Sequence, residues 1–295
     1  MSEKIILAEN LAPKKSELRR VLKVMFSRWV VTVGAVIVVI LILVAIFAPL
    51  IAPYGPNAIN MQAMLKPPSA SHLLGTDQNG RDLLSRVIFG SRISLLVGLV
   101  GVSIAGFIGI FLGLIGGYFG GWIGNIIMRF IDALLALPPL LLMLAIASIL
   151  GSGIFNVLIA LGVGMMPTYG RLMFAQVTIL RENDYITAAH SIGAGNFRIM
   201  LRHLLPNAFP PLLVLITVNL GTAIMMEASL SYLGIGIVPP TATWGAMVSS
   251  GQPYILSNFI LTFAPGLCIL LVVLAFNMVG DGLRDALDPR LRGTL

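Results

Sequence analysis

The sequence predicts an all-α integral membrane protein with six transmembrane helices and both termini cytoplasmic. Of its 295 residues, 57% are hydrophobic and only 11% charged, where a soluble domain carries about 25%. Six apolar runs are long enough, or nearly so, to cross a bilayer, and Lys and Arg gather at the chain ends.

A helix crossing about 30 Å of hydrocarbon needs about 20 mainly apolar residues. The first run, 29–48, carries no charge. It is too long for the apolar core of a signal peptide and has no small-residue cleavage site before AIFAPLIAPYGP, so it reads as a retained span. The next runs are 94–117, 130–150, 154–180, 208–230 and 259–279. In lipid every backbone polar group needs an internal partner, and the runs lack the alternation of strands, so they are helices. Gly109 and Gly113 in the second run permit close helix contact.

Lys4, Lys14, Lys15, Arg19, Arg20, Lys23 and Arg28 precede the first run, and Arg284, Arg290 and Arg292 follow the last. By the positive-inside rule both ends face the cytoplasm. The expected organisation is a basic cytoplasmic segment at 1–28, a first transmembrane helix at 29–50 and an extracytoplasmic loop at 51–92. A five-helix core at 93–279 contains a cytoplasmic loop at 180–207, and a cytoplasmic tail closes the chain at 280–295. The loop at 51–92 opposes the rule with Lys66, Arg81, Arg86 and Arg92 against Asp77 and Asp82, but the rule weakens in long loops. Helical spacing after Asp77 suggests a surface helix there, either a solvated face capped by Asp77 or a docking element.

The net charge of +7 is accounted for by this topology and points to lipid, not nucleic acid. The single cysteine, Cys268, lies inside an apolar run, and His72, His190 and His203 lack ligand spacing. Neither a disulfide framework nor a metal site on this chain is expected. Intramembrane charges are costly and often functional. Asp132 and Arg129 lie close to a cytoplasmic end, which favours an interfacial position for both, and Arg171, inside the fourth run, is placed to pair with Asp132 or to approach the 180–207 loop. Glu227 lies near the outer end of the fifth run, suited to a pathway or outer gate or else to a structural hydrogen bond. Met225 and Met226 beside it suit an adaptable pathway lining, with packing as the alternative.

The stretch YITAAHSIGAGNFRIMLRHLLPN, 185–207, separates two apolar runs. Asn183 or Asp184 can cap a first short helix, Gly193 and Gly195 permit a tight turn, Asn196 can cap a second helix, and Pro206 ends it. The result is a helix-turn-helix elbow, which alone reads either as an interfacial loop with Arg198 and Arg202 on lipid phosphates or as a seat for another protein.

Within it, T-A-A, three residues, Gly193, nine residues and H-L-L-P resembles the EAA loop of ABC-importer permeases, with Thr187 where that family often has Glu and His203 where it often has Ile. LGTDQNGRDLLSRVIFGSRISL, GLIGGYFGGWIGNIIMRFIDALLALPPLLL, EASLSYLGIGIVPPTATWGAM and FNMVGDGLRDALDPRLR resemble the same source. From about residue 48 to 292 the chain is similar to the C-type subunit of the dipeptide, oligopeptide and nickel permeases.

That resemblance implies a type I ABC-importer permease fold in a bacterial or archaeal cytoplasmic (inner) membrane. It implies a second, homologous permease, two cytoplasmic ATPases that carry ATP and Mg, and an extracytoplasmic substrate-binding protein as partners. Thr187, Ala188, Ala189, Gly193, Gly195, Arg198, Arg202, Leu205 and Pro206 would form the ATPase-coupling segment, and Arg171, Glu227, Met225 and Met226 the pathway or gate. Asp77, Arg81, Asp82 and Trp244 would contact the binding protein, although an interfacial aromatic explains Trp244 nearly as well. The chain has no G-x-x-x-x-G-K-[ST] sequence, so no catalytic residue or cofactor is expected on it and hydrolysis falls to a partner. Cargo would be di- or oligopeptides, with nickel or a metal chelate as the alternative. A secondary transporter or an intramembrane enzyme remain as readings from other classes.

Overall fold

A computed structural model describes residues 17–287. Lys4, Lys14, Lys15, Arg290 and Arg292 lie outside the described residues. Among those, five helices are long and apolar enough to span a membrane, and one bent helix pair brings the number to six.

A short helix, α1 (Glu17–Met25), leads to α2 (Trp29–Ile46). Only Val31 and Gly34 of α2 are buried in the isolated chain, as expected of a lipid-facing helix, and this edge meets the last helix: a Cβ on Gly34 would lie 2.7 Å from the Cβ of Met278. Arg28 and Asp285 pair at 2.7 Å across the same seam, so the beginning and end of the described chain lie together.

The second run is longer than its apolar core. Helix α3 (Leu83–Phe119) has 37 residues, about 55 Å at 1.5 Å per residue. The separate surface helix expected before it is the projecting first part of α3. The cap is Asp82, not Asp77: Oδ2 of Asp82 accepts from the Ser85 amide at 2.8 Å. No proline falls between 83 and 119, so nothing stops the helix at the membrane boundary.

The third run, expected as one helix from 130 to 150, is broken. Helix α4 (Gly121–Leu135) and α5 (Pro139–Leu150) meet at 89°. The cause is local: Pro138 is extended (φ −53, ψ 132), and Pro139 has no N–H and disfavours a helical residue before it.

Helix α6 (Ile154–Leu180) is the centre of the bundle, with 67% of its apolar window buried despite Pro167. Gly109, Gly113 and Gly117 of α3 lie against it. A Cβ on Gly109 or Gly113 would collide with the carbonyl of Met166 or Gly170, and one on Gly117 would lie 2.9 Å from the Cβ of Val177. The packing read from Gly109 and Gly113 is therefore a backbone-on-backbone contact between helices that run parallel.

After the elbow helix α7 (Asp184–Ser191) the chain turns and enters α8 (Leu205–Tyr232). Pro206 does not end a helix, as expected from sequence, but lies in the first turn of α8. A π-helical turn, Ile199–Leu204, precedes it, and the Leu205 amide donates to the carbonyl of Met200. That wider turn makes room for a ring that brings no N–H of its own, so 196–232 runs as one apolar span. Helix α9 (Trp244–Gly251) lies in the return loop, and α10 (Ile260–Leu287) packs antiparallel to α8 through Gly221 on Val273 and Gly280 on Val218. The described ends of the chain, the last turn of α3 and the elbow therefore share one face, with the 52–82 loop and α9 at the other.

Candidate functional site

The elbow is held by its own apolar side. Ile186 and Ala189 of α7, with Ile199 and Leu204 of the second limb, are buried in the main core. Thr187, Ala188, Arg198, Arg202 and Pro206 are exposed, and Leu205 is half-buried. The pair of small residues expected on the surface thus divides: Ala188 faces out and Ala189 faces the chain's own core.

Asn183 occupies the N-cap position of α7, but its side chain donates to Leu180 O at 3.1 Å; Asp184 supplies the negative charge favoured at a first turn. The bend is at Gly193, where φ is +79 and the amides of Gly193 and Ala194 return to the carbonyls of His190 and Ala189 at 2.9 and 3.0 Å. Gly195, expected to share this role, has φ −69, a conformation any residue adopts, and provides the N-cap of the second limb in place of Asn196.

Asn196 is used differently. Tyr118, in the last turn of α3, donates to its Oδ1 at 2.8 Å and stacks on His190 with ring centroids 6.3 Å apart. Arg181 donates from Nη1 to Gly117 O at 3.0 Å. Tyr118 and Arg181 were not among the residues expected at the site; the signals were a tyrosine directly after Gly116 and Gly117 and an arginine directly after the fourth apolar run. A separate hollow of about 460 Å3 is lined by Tyr185, Ala188, Ala189, Ile192, Arg198 and Arg202. Ile192 is 85% and Phe197 69% exposed, two uncovered apolar side chains on an elbow that also exposes Arg198 and Arg202.

At the opposite face the expected binding-protein contacts are inside the loop. Asp77, Arg81, Asp82 and Trp244 are all buried. Oδ1 of Asp77 accepts from the amides of Asn79 and Arg81 at 2.9 and 3.0 Å, and its Oδ2 takes Nε of Arg81 at 2.7 Å and lies 3.5 Å from Nε of Arg86. His72 Nδ1 lies 2.9 Å from Asp82, and Trp244 donates to Val87 O at 3.0 Å. Buried charges need such partners, and these tie the loop to α3. The outward surface here is made by others, Met61 and Leu73 among them, at 68% and 62% exposure.

Glu227 is fully buried and accepts from Ser231 at 2.8 Å, while Ser231 Oγ accepts from the Ile237 amide at 3.0 Å. Through Ser231 it is linked to the return loop, while its Oε2 is buried with no hydrogen-bond partner among the described residues. Met226 packs partly against the core, whereas Met225 is exposed beside Ser229, Tyr232 and Leu233 in a hollow of about 300 Å3. Arg171 pairs with Asp132, and both side chains are open, at 56% and 40% exposure. Among the described residues no cluster of His, Cys, Asp and Glu is arranged to hold a metal.

Comparison with known proteins agrees with this arrangement. Residues 105–293 match the model of the binding-protein-dependent transport system inner membrane component, and 16–68 match the N-terminal TM domain of oligopeptide transport permease C. The di/tripeptide transport system permease protein DppC of Pseudomonas aeruginosa (strain UCBPP-PA14) is 46% identical over 265 residues, covering 88% of both chains. The "Probable D,D-dipeptide transport system permease protein DdpC" of Escherichia coli (strain K12) is 44% identical over 88% of this chain and 87% of its own. The glutathione transport system permease protein GsiD of Escherichia coli O6:K15:H31 (strain 536 / UPEC) is also 44% identical, over 88% and 86%. A solved inward-facing structure of the MetNI methionine ABC transporter shares the fold, with a TM-score of 0.51 at 20% identity over 69% of this chain and 97% of its own.

Proposed function

The chain belongs to the family of binding-protein-dependent transport system inner membrane components, as a permease subunit of the ABC importers, and we propose that it forms half of a pathway for di- or oligopeptides. Its names for cargo come from relatives: permeases for di- and tripeptides, D,D-dipeptides and glutathione. The other half would be a homologous permease. Two ATPases would carry ATP and Mg on the side of the elbow, the cytoplasmic side of a bacterial inner membrane, and a substrate-binding protein would dock on the 52–82 and α9 face.

The observation that carries the coupling role is the elbow's construction. Its inner side is fused to the core through Ile186, Ala189, Ile199 and Leu204, while Ile192 and Phe197 are left uncovered and Ile192 shares a hollow with Arg198 and Arg202. A partner seated there moves α6 and α8 with it, because α7 joins α6 by a short link and the second limb runs without a stop into α8. ATP binding biases the pathway only through a difference in affinity between two such arrangements.

The test is reconstitution of the whole complex in proteoliposomes, with uptake of labelled dipeptide followed against ATP. ATP-dependent accumulation supports the reading; nickel accumulation without peptide uptake assigns the metal cargo instead, and uptake driven by an ion gradient without the ATPases refutes the importer mechanism.

A further inference from the structure

The Asp132–Arg171 pair is incomplete. Arg171 lies about 15 Å along α6 from Arg181 at the helix end, by helical rise, inside an apolar span. Its side chain is 56% exposed and that of Asp132 40%, and a guanidinium within such a span does not face lipid without a large cost. Among the described residues Asp132 is the only hydrogen-bond partner of Arg171, and that contact uses one of five donors and one carboxylate oxygen. The remaining donors need water or a ligand.

The pair does not stand alone. Asn125 and Arg129 precede Asp132 along one uncovered face of α4, and Thr168 and Ala175 flank Arg171 on the uncovered face of α6. The polar residues of these two uncovered faces, Asn125, Arg129 and Thr168, thus gather near one ion pair just before the 89° break between α4 and α5.

Building on the importer reading above, we propose that Asp132 and Arg171 line the translocation pathway and exchange partners with the terminal charges of a zwitterionic peptide. The guanidinium matches a carboxylate with two parallel N–H donors, and the Asp132 carboxylate accepts from an α-ammonium. An empty pathway keeps the two side chains paired with each other. A passing peptide separates them and offers each an opposite charge, so neither is left unpaired and the net charge does not change. A bare divalent cation satisfies only Asp132.

The test uses the complete complex with Cys268→Ser and either Thr168→Cys or Ala175→Cys, treated in proteoliposomes with a sulfonated, charged thiol reagent. Labelling should be at least tenfold faster than at Ile149→Cys, on the apolar exposed side of α5, and should be slowed at least threefold by dialanine. No labelling in any nucleotide state places this face of α6 against the second permease, and labelling unaffected by dialanine removes the peptide contact; either result overturns the proposal. A second variant, Asp132→Arg with Arg171→Asp, should restore assembly of the complex relative to the single reversals yet leave dialanine uptake at least tenfold below the unsubstituted protein. Full recovery of uptake would make the pair purely structural. Uptake by the unsubstituted complex is measured first: if it fails there, the importer reading fails, whereas uptake with this face unlabelled defeats only this inference.

Discussion

The hydroxyl of Tyr118, in the last turn of α3, donates to Oδ1 of Asn196 at 2.8 Å and so ties the second span to the second limb of the elbow. A hydrogen bond of this kind contributes about 0.5–1.5 kcal/mol, enough to bias two positions of a short segment without holding the bundle together. Tyr118→Phe is therefore expected to leave the thermal stability of the purified complex nearly unchanged. The ATP consumed per peptide imported should rise roughly twofold or more, by the Boltzmann weight of about 0.5 kcal/mol. Parallel measurement of phosphate release and uptake checks it.

Gly193 and Gly195 separate backbone conformation from crowding, because an added Cβ at either meets no atom within 4 Å. At Gly193 the φ of +79 costs a side chain about 1 kcal/mol or more; at Gly195 the φ of −69 costs nothing. Gly193→Ala should lower ATP-driven uptake, and Gly195→Ala should not. Equal loss in both would place the important bend elsewhere.

Gly113 permits the closest approach of α3 to α6, where a Cβ would strike the Gly170 carbonyl. Overpacking a tight contact costs about 1–3 kcal/mol. Gly113→Ala should lower the melting temperature of the detergent-purified complex by several degrees, whereas Gly266→Ala in α10, with open space around it and no positive φ, should shift it less.

Asp77 binds both Arg81 and Arg86 in a buried setting. Removing one partner of a buried pair costs about 3–5 kcal/mol. Asp77→Ala should loosen the 52–82 loop and open it to limited proteolysis near Lys66, which is exposed, before any cleavage at the elbow.

Much of this was legible in the sequence. The apolar runs, the glycine contact at Gly109 and Gly113, and the elbow with its bend at Gly193 follow from local chemistry, and the Arg171–Asp132 pairing was one of two placements the charges allowed. What was not legible depends on contacts distant in sequence. Asp77, Arg81 and Trp244 look like surface residues of a long loop, and only the fold of 52–82 over α3 buries them. Asn196 looks like a cap until Tyr118, 78 positions away, takes its carboxamide. Pro206 looks like a terminator because sequence does not reveal that a π turn accommodates the ring. The break at Pro138 and Pro139 was visible as chemistry, but hydrophobicity alone read across it.

The central claim is that the outer side of the elbow carries the force of ATP binding into α6 and α8. Ala188, exposed on α7, gives the most direct measurement: with Cys268→Ser and Ala188→Cys in the assembled complex, a short thiol crosslinker should join this chain to an ATPase subunit, with a yield that differs between the nucleotide-free and ATP-bound states. Undiminished ATP-driven peptide uptake with no crosslink to an ATPase in either state would contradict it.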